Sequence, residues 1–319
     1  MIIAESTDSP LIVKPFAARK IKYAFHDIDG THSLIRDWPP VMSIVLWNVM
    51  ENGLADDFDS EYNLKRIIAM TGTRPLPETD AFCIESAGLS ALTQMEWAIR
   101  RAIENGTVRI ECDQTANSAI AAGIRAGREV FPEFHECDAI KKYLAEYTPR
   151  LFRFYEKVLN GYCRDKNLAA AKIDPDKFII SGSKEFVDFL HENGVKNYLV
   201  TGAVVEKGMG MHEEVVSLGY SIGEGCQFED IIGSSWTEKQ PKDVIMERLA
   251  NDMGIPSDEI LVLGDGRSEI SAGVKMGALT MSRLNESAAY QREMHKRLGT
   301  NIIIADYNEK DLKKIFRKA

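Results

Sequence analysis

Residues 21–25 form a short, largely apolar run, and His26-Asp27-Ile28-Asp29-Gly30-Thr31 follows it at once. The mix of Ile, Tyr and Phe in that run predicts a buried strand. If it is one, two carboxylates emerge at its C-terminal end, where open α/β sheets carry their sites. Asp27 and Asp29 are two residues apart and point to the same side of an extended chain, so they can share a cation or a reacting group. Gly30 permits the sharp turn that follows.

Three further stretches have the same form, a strand end or helix start bearing a polar group. Asn197-Tyr198-Leu199-Val200-Thr201-Gly202 reads as strand and turn, preceded by a helix that begins near Ser183 and is closed by Gly194, as in a βαβ crossover. The Thr201 hydroxyl and the backbone N–H groups around Gly202 can hydrogen-bond phosphate oxygens without adding charge; the alternative is that Thr201 caps a helix starting near Val204. Lys242 opens a helical stripe closed by Gly254, with Lys239 one turn earlier as its rival. Ile260-Leu261-Val262-Leu263 is the continuous apolar run of a buried parallel strand, followed by Gly264-Asp265-Gly266-Arg267-Ser268-Glu269.

Taken together and in this order, Asp27-Ile28-Asp29-Gly30-Thr31, Thr201-Gly202, Lys242 and Gly264-Asp265 with Glu269 resemble the motifs of the haloacid dehalogenase superfamily, phosphatases and phosphomutases with an aspartate nucleophile and magnesium. The resemblance covers about half of the chain. It implies a Rossmann-like α/β core of parallel strands, formed by residues 1–33 and 176–319. A mostly α-helical cap, residues 34–175, is inserted after the first motif. It implies Asp27 as nucleophile, Asp29 as general acid and base, and Thr201, Gly202 and Lys242 as phosphate-binding groups. Mg2+ would be held by Asp27, the carbonyl of Asp29, Asp265 and Glu269. Glu269 stands where many members carry aspartate, which points to ligation through water. An acid at position 29 and Ile28 after the nucleophile match the hydrolases rather than the carbon–phosphorus cleaving or ion-pumping members. The expected activity is hydrolysis of a small phosphorylated metabolite such as a sugar phosphate, with a phosphomutase or a non-catalytic phosphate sensor as alternatives.

The intervening residues bear out a helical reading by their apolar spacing of three and four, best seen in 64–70, 91–103, 117–126 and 139–159; residues 108–112 could form one strand. Trp38 and Pro39, in a loop over 32–40, could line a cleft beside the carboxylates. Arg74, Arg100, Arg101, Arg125 and Arg128 are candidate anion contacts, and His135-Glu136-Cys137 reads as structural because adjacent residues point apart.

Composition limits the partners. The chain of 319 residues, 45% hydrophobic and 27% charged, can bury more than one core. Its 39 basic and 48 acidic residues give a formal charge of -9, which argues against nucleic acid as a partner. Five dispersed cysteines without a Cys-x-x-Cys pair predict reduced thiols and a cytoplasmic protein, and no apolar run approaches membrane-spanning length.

Overall fold

The computed structural model describes residues 9–34, 38–208, 210–235 and 240–317. Seven strands form one sheet in the order β1-β7-β6-β5-β2-β3-β4: β1 Leu11–Ile12, β2 Tyr23–His26, β3 Lys196–Glu206, β4 Asp230–Ser234, β5 Ile260–Gly264, β6 Leu279–Arg283 and β7 Ile302–Ile304. All neighbours pair in parallel except β1, which lies antiparallel on β7 as an edge strand. The interior strands read as apolar runs because helices cover both faces; every residue of β5 is buried.

Helices α1 Trp38–Asn52, α2 Glu61–Met70, α3 Pro77–Glu85, α4 Ala91–Glu104, α5 Gln114–Arg125, α6 Asp138–Leu159 and α7 Asp165–Ile173 all lie between β2 and β3 in the chain. They pack around a core of their own, in which Phe82 stacks on Trp97 with ring centroids 3.7 Å apart. The remaining helices, α8 Ser183–Glu192, α9 Gly210–Ser217, α10 Lys242–Asp252, α11 Arg267–Met276, α12 Ala289–Leu298 and α13 Leu312–Arg317, alternate with the strands. The fold is therefore an α/β Rossmann-like sheet with a helical insert between β2 and β3.

Several local expectations change. Trp38 and Pro39 belong to the first turn of α1, and residues 108–112 form no strand, because that stretch is the connection between α4 and α5. No helix begins near Val204: β3 runs on to Glu206, with an irregularity against β4 between Val200 and Val204, and α9 starts only at Gly210. β4 and α9 have no clear signal in the sequence pattern.

Register decides where the strand ends open. His26 stands opposite Leu199 on one side and Leu263 on the other, so Asp27 and Asp265, just past the ends of β2 and β5, and Thr201, within β3, lie at nearly the same level of three adjacent strands. The Asp27 N–H donates to the Leu263 carbonyl at 2.9 Å. Beyond it the chain folds into a tight turn in which the N–H groups of Thr31, His32 and Ser33 all donate to the Ile28 carbonyl.

Below this turn lies a buried polar chain. The Asn197 amide nitrogen donates to the Gln227 carbonyl at 3.0 Å, which turns the amide oxygen toward His26 Nε2 at 3.1 Å. His26 Nε2 therefore carries the proton, and Nδ1 accepts from His32 Nε2 at 2.9 Å. His32 Nδ1 in turn accepts from the Ser183 hydroxyl at 2.6 Å, which accepts from Tyr220 at 2.7 Å. Every group is satisfied only when both imidazoles are neutral. Burial pushes the His26 imidazole down from 6.5 to about 4, and burial together with the neighbouring His26 holds His32 well below its ordinary value.

The sign follows from linkage. Between pH 6.5 and 4 the unfolded chain binds a proton at His26 that the folded chain refuses, so this group's contribution is present above pH 6.5 and is lost as the pH falls toward 4. The expected loss is about 3 kcal/mol by pH 4. Denaturant unfolding of the wild type and His26→Gln at pH 7 and pH 4 checks it: the stability gap between them should narrow by about that amount, and an unchanged gap contradicts the neutral chain.

Candidate active site

Asp27 lies at the end of β2, 6% exposed. Lys242, the first residue of α10, is 3% exposed; it places its ammonium 2.7 Å from Asp27 Oδ1 and 3.1 Å from Glu269 Oε2. Glu269, fully buried, also accepts the Gly266 N–H through Oε1 at 2.5 Å, and its Oε2 lies 3.0 Å from the Ser268 hydroxyl oxygen. It thus closes the N-terminus of α11 while anchoring the lysine. Lys239 lies outside the described residues.

The charges account for the protonation states. Burial pushes the Asp27 carboxyl up to about 6, against the pull of the Lys242 ammonium. At Glu269 burial also pushes upward, but Lys242 and the backbone N–H groups outweigh it and hold the carboxyl below its ordinary value. The two carboxylates in turn overcome the desolvation of Lys242 and raise it.

Oxygens of Asp27, Asp265 and Glu269 lie within 4.8 Å of one another. An all-carboxylate set of this size suits a hard divalent cation such as magnesium. Asp265 is held close by the turn: Gly30 adopts φ +76°, and a β-carbon there would fall 2.1 Å from Asp265 Oδ2. The Asp29 carboxylate is not part of this group among the described residues. It faces the cavity near Glu214 and Arg164, and burial, then Glu214, then Asp27 push its carboxyl well above the ordinary range.

Thr201 is buried and lines the same cavity, although its hydroxyl accepts the Ala203 N–H at 3.1 Å. Gly202 is where the insert meets the sheet: a β-carbon there would stand 2.8 Å from the Leu89 carbonyl. The Ser268 hydroxyl donates to the Gly88 carbonyl at 2.7 Å and Arg267 to the Arg125 carbonyl at 3.0 Å. The insert therefore packs over the carboxylates, beside a half-open cavity of about 310 Å³.

Trp38 and Pro39 line that cavity, as their neighbourhood in sequence suggested. The arginines singled out in the insert do not line it. Arg100 is buried against Glu96, Glu136 and Asn117; Arg101 pairs with Glu78 and Glu104, Arg125 with Glu85 and Arg128 with Glu133, and Arg74 stacks over Trp47. Glu136 and Cys137 have structural partners, Arg100 and the Glu111 carbonyl. The arginine at the cavity is Arg164, on the π-helical turn Asn160–Arg164 that joins α6 to α7, and it pairs with Glu156. Glu214 of α9 reaches in from the sheet side, accepting the Ser33 hydroxyl at 2.5 Å, and burial pushes its carboxyl up to about 7. Neither residue could be found from spacing, since one sits on an irregular turn and the other on a short helix with no motif.

The buried ion group has a measurable consequence. Lys242→Met leaves Asp27 and Glu269 buried without their cation, and the expected cost is about 3–5 kcal/mol at pH 7 without divalent ions. Denaturant unfolding in EDTA checks it; the cost should shrink at low pH, where both carboxyls take protons.

No family model matches the chain, and no curated protein matches it in sequence. In structure it is similar to a β-phosphoglucomutase from Clostridium difficile, with 12% identity, 94% of this chain and 97% of the other covered, and a TM-score of 0.50. A predicted phosphoglycolate phosphatase from Haemophilus somnus 129PT aligns over 92% of this chain and 97% of its own at 15% identity and a TM-score of 0.47. A phosphonoacetaldehyde hydrolase-like protein from Oleispira antarctica aligns over 95% and 94% at 12% identity and a TM-score of 0.48. The parallel sheet, the helical insert between β2 and β3 and the likeness to the first of these structures show that this chain shares the α/β fold of that β-phosphoglucomutase.

Proposed function

We propose that the protein is a magnesium-dependent phosphatase acting on a small phosphorylated metabolite such as a sugar phosphate, through an aspartyl-phosphate intermediate. The observation that carries this reading is the convergence of Asp27, Lys242 and Asp265, from three separate parts of the chain, on one cavity, with Glu269 buried behind them against Lys242. A structural ion pair would not need the additional carboxylate of Asp265 beside it, nor an opening to a cavity.

Asp27 attacks phosphorus as an ionised carboxylate, and Lys242 at 2.7 Å keeps it so while offsetting the repulsion between nucleophile and phosphate. Glu269 holds the lysine in place from its other side. Asp29, whose carboxyl desolvation, Glu214 and Asp27 push well above the ordinary range, donates a proton to the leaving oxygen and afterwards takes one from the water that hydrolyses the intermediate. Thr201 and Gly202 bind the equatorial oxygens with a hydroxyl and backbone N–H groups. Asp27 and Asp265 would hold magnesium, with Glu269 linked through water; when bound, the ion supplies charge neutralisation between the carboxylate and the phosphate. The insert excludes bulk water from the transfer.

Hydrolysis of p-nitrophenyl phosphate tests the reading directly. The wild type should be active with magnesium and inactive in EDTA. Asp27→Asn should lower kcat by about 10⁴-fold or more, and Asp29→Asn by about 10²- to 10⁴-fold. Activity that survives Asp27→Asn removes the nucleophile, and a protein inactive on every phosphate ester is better described as a phosphate sensor.

A further inference from the structure

Given the phosphatase reading, on which this inference rests, we propose that the insert-side half of the cavity is a subsite for an uncharged, hydroxyl-bearing leaving group, and that it rejects a leaving group with a second anionic charge. Its centre is the Arg164–Glu156 pair. Both guanidinium Nη atoms are turned to the Glu156 carboxylate, Nη1 also reaches the Asn160 side-chain oxygen at 3.3 Å, and the two side chains are only 12% and 16% exposed. Glu214 faces them from α9.

Among the described residues, the cavity is lined by two cations, Lys242 and Arg164, and by five carboxylates, Asp27, Asp29, Glu156, Glu214 and Asp265. Lys242 is committed to Asp27 and Glu269, and Arg164 to Glu156. One magnesium ion and one phosphate dianion cancel each other, so with Asp29 protonated as the general acid the four other acids still outnumber the two cations when the reacting group is bound. A second phosphate or carboxylate would be desolvated against Glu156 and Glu214 without a cation of its own. A hydroxyl meets no such penalty, since it donates to either carboxylate and accepts from the guanidinium. The apolar walls formed by Trp38, Met42, Phe152 and Leu159 suit the C–H faces of a carbon skeleton, as mixed apolar and polar ligand sites do. The same charge balance disfavours a mutase that must accept a bisphosphate.

The test compares two open-chain six-carbon monophosphates that differ only at the far end, sorbitol 6-phosphate, which ends in a hydroxyl, and 6-phosphogluconate, which ends in a carboxylate. Calorimetric binding to the full-length Asp27→Asn protein with magnesium reads the subsite whether or not turnover occurs. The neutral ligand should bind at least about tenfold tighter. Adding Glu156→Gln should narrow that ratio to about threefold or less by tightening the acid, and Glu214→Gln should act in the same direction if the first variant does not fold. Equal or tighter binding of the acid, an unchanged ratio in the folded variants, or no binding of either ligand overturns the subsite. The two readings fail separately: wild-type turnover of p-nitrophenyl phosphate without discrimination sinks the subsite alone, and discrimination without turnover of any ester sinks the phosphatase alone.

Discussion

An ammonium shut between two buried carboxylates is the interaction on which the site depends. Lys242 sits between Asp27 and Glu269, and removing three such charges from water costs several kcal/mol per ion before their mutual attraction is counted. The arrangement is tolerable because each group has further partners. Glu269 takes the backbone N–H at the start of α11, Asp27 lies beside the open cavity, and the helix that bears Lys242 is packed on the sheet through Ile245 and Met246. A group that is costly to bury yet held at hydrogen-bond distance is poised for a charged ligand, since the water has already been removed.

Backbone geometry brings these residues together before any side chain takes part. β2 lies between β3 and β5, the two strands that carry Thr201 and lead to Asp265, so one register aligns the ends of β2 and β5 with Thr201 in β3. The turn from Ile28 to Ser33 is then held from several sides. Arg283 donates to the Gly30 carbonyl, Tyr307 to the Thr31 carbonyl, and His26 and His32 link the turn to α8 and β3 through neutral, directionally ordered hydrogen bonds. A rigid turn keeps Asp27 and Asp29 at a fixed separation, which is what positioned catalysis requires.

The insert adds what the sheet lacks. Its backbone at Gly88 and Leu89 meets Ser268 and Gly202, so the carboxylates are covered by polypeptide rather than by solvent. Its own core, organised around Phe82 and Trp97, lets the α6–α7 junction carry an irregular turn with Arg164 inside the cavity. Most of its other arginines are consumed by local ion pairs, which hold the insert together and leave the cavity acidic.

Much of this was legible in the amino-acid sequence. Short apolar runs such as 260–263 announce parallel strands because both faces are buried, and Asp27, Asp29, Lys242, Asp265 and Glu269 stand out because each follows a strand or opens a helix. The α/β class and the placing of a helical insert after the first motif followed from the same local signals. What tertiary structure alone decided are relations between distant segments: that β3 continues past Thr201 to pair with β4, that the conspicuous arginines of the insert turn to neighbouring glutamates, and that Arg164 and Glu214 reach the cavity from an irregular turn and a short helix. Periodicity reports which face of an element is apolar, but a polar side chain at a cavity wall has no period. Its role is set by what packs opposite it, and that is fixed only when the chain has folded.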